Sequence, residues 1–122
     1  QSEQLFLATL REGAVLREHF SHLMEEMASR SSPATLFGYR VRYANAPNPF
    51  HSAVANCLAY RDSSIDFGLS FAFEHLNRVR VSLRSRATGM DLHEVASRLG
   101  GGGHAHAAGA IMQASEFFQL FS

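Results

Sequence analysis

"IDFGLSFAFEHLNRVRVSLRSR", residues 65–86, decides the fold. Ile65, Phe67, Leu69, Phe71 and Phe73 take every odd position, with Asp66, Gly68, Ser70 and Ala72 between them. Alternation of this kind is the mark of a strand with one buried face. "EHLN" interrupts it, and Val79, Val81 and Leu83 then resume the odd positions against Arg78, Arg80, Ser82, Arg84 and Arg86. Two such runs in succession predict an antiparallel hairpin. Directly opposite residues share a face, so odd must pair with odd, and the loop must hold an odd number of residues. The pairing puts Arg84 or Arg86 beside Asp66 and sets Gly68, Ser70 and Ala72 under the arginines, a shallow basic surface with little side-chain bulk.

Working outward, residues 2–30 read as a helix, with Leu16, Phe20, Leu23, Met24 and Met27 at steps of three and four. Pro33 in "RSSPA" ends it. A strand is predicted over 36–44, with Tyr39, Val41 and Tyr43 on one face and Arg40 and Arg42 on the other. "NAPNP" is a turn, and 51–60 a short helix containing the lone cysteine, Cys57. Downstream, Asp91 and Glu94 resemble a capping box, Leu92, Val95, Ala96 and Leu99 form a stripe, and Gly100 supplies a left-handed stop. "AHAAGAIM" reads as a last strand and 114–121 as a terminal helix. Alternating strands and helices predict a single α/β domain with a mixed β-sheet, flanked by helices.

The 122 residues suffice for one core, and a formal net charge of zero argues against a global field for nucleic acid. Every basic side chain is arginine, whose planar fork suits phosphate and carboxylate. One cysteine excludes an internal disulfide and favours a reducing, cytoplasmic setting; no run is long enough to span a membrane. The chain opens on Gln1, which reads as a fragment of something longer.

"LGGGGHAHAAGA", 99–110, holds more glycines than a helix stop needs. Glycine allows close approach of backbone to ligand, successive N–H groups can form an anion nest, and His104 adds a directed donor. A phosphate P-loop is excluded, because no Gly-Lys-Ser/Thr follows and the glycines end a helix rather than begin one.

Ser82-Leu83-Arg84-Ser85, the helix "DLHEVASRLG", and Gly101-Gly102-Gly103-His104-Ala105-His106-Ala107-Ala108-Gly109, with "YANAPNPFHSAVANCLA" more loosely, resemble the C-terminal substrate-binding domain of the DHH phosphoesterase superfamily. That superfamily takes in RecJ-like exonucleases, oligoribonucleases that also dephosphorylate bisphosphate nucleotides, and cyclic-dinucleotide phosphodiesterases. The resemblance covers residues 35–113, as the core of a domain spanning 1–122, with 1–30 a leading helix and 114–122 a terminal one. It implies that Arg84, Ser85, Gly101, Gly102, Gly103 and His104 bind substrate, with Ser82, Arg86 and His106 as secondary candidates. The implied ligand is a phosphorylated nucleotide or short single-stranded oligonucleotide. The implied partner is an N-terminal DHH catalytic domain in cis, carrying Mn2+ (or Mg2+); a homo-oligomer is also allowed. This chain has only Asp62, Asp66 and Asp91 and no Asp-His-His, so no catalytic or metal residue is assigned to it, and alone it is expected to be inactive. Two other readings stand beside this one. The chain could be a stand-alone nucleic-acid module of the transfer-RNA type. It could also be a metal-binding protein using His104 and His106.

Overall fold

The computed structural model describes residues 2–121, with the backbone alone given over 2–10. Helix α1 (Ser2–Ser29) leads into strands β1 (Ser32–Leu36) and β2 (Tyr39–Asn45). Helix α2 (His51–Arg61) connects β2 to β3 (Phe67–Glu74), and β4 (Arg78–Arg84) follows. Then come α3 (His93–Arg98), β5 (Gly102–His104), β6 (Ala107–Gln113) and α4 (Ala114–Gln119). The sheet runs β1-β2-β3-β4-β6-β5. Its β2–β3 pair is parallel and its other pairs antiparallel, so the α/β class with a mixed sheet and flanking helices holds.

The central hairpin obeys the parity argument. Three residues, His75–Asn77, form the loop, and Phe73 faces Val79, Phe71 faces Val81 and Leu69 faces Leu83. Except for Phe73, which stays 60% exposed, these odd residues are joined in the core by Leu36, Val41, Ala108 and Ala110 from the neighbouring strands. Leu92, Val95, Ala96 and Leu99 around α3 and Phe117 of α4 cover the apolar face. On the other face, Met24, Met27 and Ala28 of α1 and Val54 and Leu58 of α2 pack over Ala44 and Ala46. Helices on both faces make a three-layer sandwich.

Five expectations need correcting. The single strand over 36–44 is in fact a hairpin: Phe37 and Gly38 have φ of 53° and 86°, the positive values of a two-residue type I′ turn. Pro33 falls inside β1, which an edge strand tolerates because its missing N–H owes nothing to a neighbour. The glycine stretch, taken as a loop, contains the short edge strand β5 paired to β6. The surface over Gly68 and Ser70 is not open, because α2 lies on it. Finally, the α1 stripe is used only at its C-terminal end: Leu16 stays 68% exposed, while Phe20 stacks on Phe50 at 4.7 Å.

Gly68 shows how closely α2 sits. A Cβ built there would lie 2.3 Å from the Ala55 carbonyl oxygen and 2.9 Å from both Ala59 N and Leu58 Cβ. No rotamer relieves contact with helix backbone. Gly68→Ala is therefore expected to lower the unfolding free energy by about 1–3 kcal/mol, the usual range for overpacking. Urea denaturation checks this; an unchanged midpoint would show that α2 is not seated on β3.

Candidate functional site

The end of the sheet beyond α2 carries a cavity of about 360 Å³, on the same face as that helix. Parity builds its floor. Arg80, Ser82 and Arg84 of β4 stand beside Ile111, Gly109 and Ala107 of β6, and Gly109 in turn beside Gly102 of β5. His51 and Ser52, the first two residues of α2, form the wall. A helix N-terminus presents backbone N–H groups without intrahelical acceptors and the positive end of the helix dipole.

Arg84 is half-buried and held in place by neutral acceptors. Its guanidinium donates to the Leu83 carbonyl at 2.8 Å, to the Ser52 hydroxyl at 3.0 Å and, more weakly, to the Ala108 carbonyl at 3.4 Å. Among the described residues no carboxylate pairs with it, and burial pulls its pKa below the ordinary arginine value. Arg80 differs: its Nε donates to Glu74 Oε1 in an ion pair. The cavity thus contains one compensated cation and one uncompensated cation. Ser70, buried beneath, donates to the His51 carbonyl at 2.5 Å and pins the start of α2 to the sheet.

Of the residues predicted to bind, Arg84, Gly102 and Ser82 line this cavity. Ser85 is buried outside it and donates to the Met90 carbonyl at 2.7 Å. With its one hydrogen so used, Ser85 Oγ accepts from His106 Nδ1–H at 2.9 Å, which fixes where that imidazole carries its proton. Gly101 and Gly103 press on β6: an added Cβ would meet the Gly109 and Ala107 carbonyl oxygens at 2.0 and 2.7 Å. A side chain at Gly102 would meet no atom within 4 Å. His104 is exposed at the end of β5, next to this rim. Arg86 lies elsewhere. It donates to the carbonyls of Ala59 at 2.7 Å, Asp62 at 3.2 Å and Ile65 at 3.2 Å, tying the C-terminal end of α2 to the sheet. The Asp66 carboxylate accepts from the Arg40 backbone N–H at 2.8 Å rather than from an arginine of the hairpin. Arg42 bonds Ser31, so neither Arg40 nor Arg42 reaches the cavity.

His51, Ser52 and Arg80 are the cavity residues with polar side chains that sequence reasoning did not select. Parity had placed Arg80 on the correct face; only the path of α2 brings His51 and Ser52 over it. Among the described residues no three His, Cys, Asp or Glu side chains converge to hold a metal ion. The donor set therefore fits neither a zinc site at His104 and His106 nor the two-metal centre implied for DHH enzymes. Arg84 and Arg86 should separate experimentally. Arg86→Ala deprives three carbonyls of a charged donor and is expected to lower the unfolding free energy by about 1.5–3 kcal/mol in urea denaturation.

Comparison with known proteins agrees with this architecture. The DHHA1 domain family matches residues 52–122. Oligoribonuclease NrnB of Bacillus subtilis (strain 168) is 36% identical over 72 residues, which is 59% of this chain and 17% of that protein. The chain thus spans about a sixth of that relative. Among solved structures, the pGpG-specific phosphodiesterase PggH of Vibrio cholerae superposes with a TM-score of 0.61 at 12% identity, over 89% of this chain and 38% of that one. The C-Ala domain of Aquifex aeolicus alanyl-tRNA synthetase gives 0.51 at 15% identity, over 72% and 88%. These two likenesses show the fold. The match over more than half of the chain shows the family: this chain belongs to the DHHA1 domain family.

Proposed function

We propose that this chain binds the phosphate of a nucleotide or short oligonucleotide and presents it to the catalytic domain of a DHH-type phosphoesterase. One observation carries the reading: Arg84 is half-buried, held by neutral acceptors and, among the described residues, without a carboxylate, beside the N-terminus of α2. A desolvated cation fixed in advance of its counter-ion gains from an anion without having to reorganise first. A planar guanidinium also suits a phosphate bidentately. The kinship with NrnB, an oligoribonuclease, supports a ligand of this class.

The roles divide by position. Arg84 and the free N–H groups at the start of α2 hold the phosphate, Ser52 orients Arg84, and Gly102 leaves room for the ligand. His104, exposed at the rim, is available to a phosphate shared with the catalytic domain, and there the resemblance implies Mn2+ or Mg2+. Hydrolysis by the whole protein would then depend on residues outside this chain.

Calorimetric titration with a 5′-phosphorylated trinucleotide, in EDTA, tests the reading. Arg84→Ala is expected to weaken binding by about 10- to 100-fold, the worth of a charged hydrogen-bonding contact. His104→Ala is expected to weaken it less. Equal binding by wild type and Arg84→Ala would show that the phosphate sits elsewhere. Tight binding of transfer RNA by both would favour a stand-alone nucleic-acid module instead.

A further inference from the structure

Phosphate esters come in two charge states. A diester carries one negative charge; a terminal monoester carries about −1.5 to −2 near neutral pH. Arg84 supplies one positive charge to the cavity, whereas Arg80 is already matched by Glu74. The fixed charges therefore suit a monoanion. One further titratable group lines the cavity, the imidazole of His51.

We propose that His51 is the residue by which this cavity favours a terminal phosphomonoester over a phosphodiester, its imidazole taking a proton from solvent as the dianion binds beside Arg84. The inference rests on the phosphate reading of the cavity and adds to it a basis for selecting chain ends.

The surroundings of His51 support this. The ring lines the cavity at the first residue of α2, and its backbone carbonyl is fixed by Ser70. Arg80 and Arg84 face it from β4. From β3 the nearby carboxylate is Glu74, which is engaged by Arg80. From β6 the cavity receives only Ala107, Ala108, Gly109, Ala110 and Ile111, none of them charged. The α1 carboxylate bound to α2 is Glu25, held against Cys57 and Arg61 beyond the first turn. On the β2 side, Arg42 pairs with Asp62 past the other end of the helix. Thus His51 has two cationic neighbours and no carboxylate of its own among the described residues. Desolvation first, then Arg80 and Arg84, hold its pKa below the usual histidine value, so the ring is neutral in the free protein at neutral pH. A dianion placed among these groups reverses the sign of the local field and draws a proton onto the ring. Binding that takes up a proton tightens as pH falls, by at most about tenfold per pH unit for one proton.

The experiment compares adenosine 5′-monophosphate with its phosphate O-methyl ester, a pair that differs by one titratable charge. Calorimetry is run in EDTA at about pH 8 and about pH 6.5, in buffers of contrasting ionisation enthalpy. In wild type, the preference for the monoester is expected to grow by about threefold or more over that interval, with net proton uptake. In His51→Gln the preference should stay flat or fall, because the free monoester itself becomes protonated near pH ~6. Methyl-ester affinity, measured alongside at both pH values, removes from the comparison any general effect of the substitution on the cavity wall. Matching preference profiles in wild type and His51→Gln would overturn the inference while leaving the phosphate reading intact. Binding that is indifferent to Arg84→Ala overturns both. NMR titration of the His51 ring in wild type is independent of any variant's folding: its midpoint should rise with the monoester and much less with the methyl ester. An unmoved midpoint refutes the proposal.

Discussion

The close seat of α2 on β3 is the constraint on which the rest depends. Without a side chain at Gly68, helix backbone can rest directly on strand backbone. At one end the seat is secured by Arg86, which gathers three carbonyls around the helix terminus. At the other end Ser70 bonds the first carbonyl of the helix. The result is a helix whose N-terminus is fixed over β4, with Ser52 in reach of Arg84. Shifting the helix outward by the thickness of a methyl would separate the wall of the cavity from its floor.

Two arginines two residues apart, Arg84 at the end of β4 and Arg86 just beyond it, thereby acquire opposite uses. Arg86 meets the carbonyl-rich end of α2, where a cation is favoured by the helix dipole and saturated by acceptors. Arg84 meets the N-terminal end, where the dipole opposes a cation and the acceptors at hand are neutral. The first position stabilises the fold; the second leaves positive charge unspent. Periodicity alone cannot tell the two apart, since both occupy even positions of the same alternating run, although β4 itself ends at Arg84.

That distinction marks how much of the molecule was legible in the sequence. Strict alternation over 65–86 carried the hairpin, the odd number of residues in its loop and its buried face as far as Phe71 and Val79. The double signal of Gly100, a helix end in left-handed geometry, also emerged as read: the N–H groups of Gly100 and Gly101 bond back to the Ser97 and Ala96 carbonyls. The β1 strand was hidden, because Pro33 argues against a strand unless an edge is known, and Phe37-Gly38 is an unusual pair for a tight turn. Arg84 could be chosen from its face and its motif. His51 and Ser52 could not, because what makes them part of the cavity is the path of a crossover helix over a sheet whose strand order no local pattern encodes. Conversely, Ser85, Gly101 and Gly103 sit in a matching motif, yet their contacts in this structure are with Met90, His106 and β6.

The four successive glycines are therefore under different pressures. Gly100 is held by its positive φ, and Gly101 and Gly103 by the carbonyls of β6. Gly102 alone has ordinary backbone geometry and open space where a side chain would stand. Packing places no demand on it; under the proposed function, an occupant of the cavity does. In a lineage that had ceased to bind its ligand, position 102 would be the first of the four to drift, with 101 and 103 still invariant. Under the proposed function, the residue found at 102 would serve as a record of whether the cavity is in use.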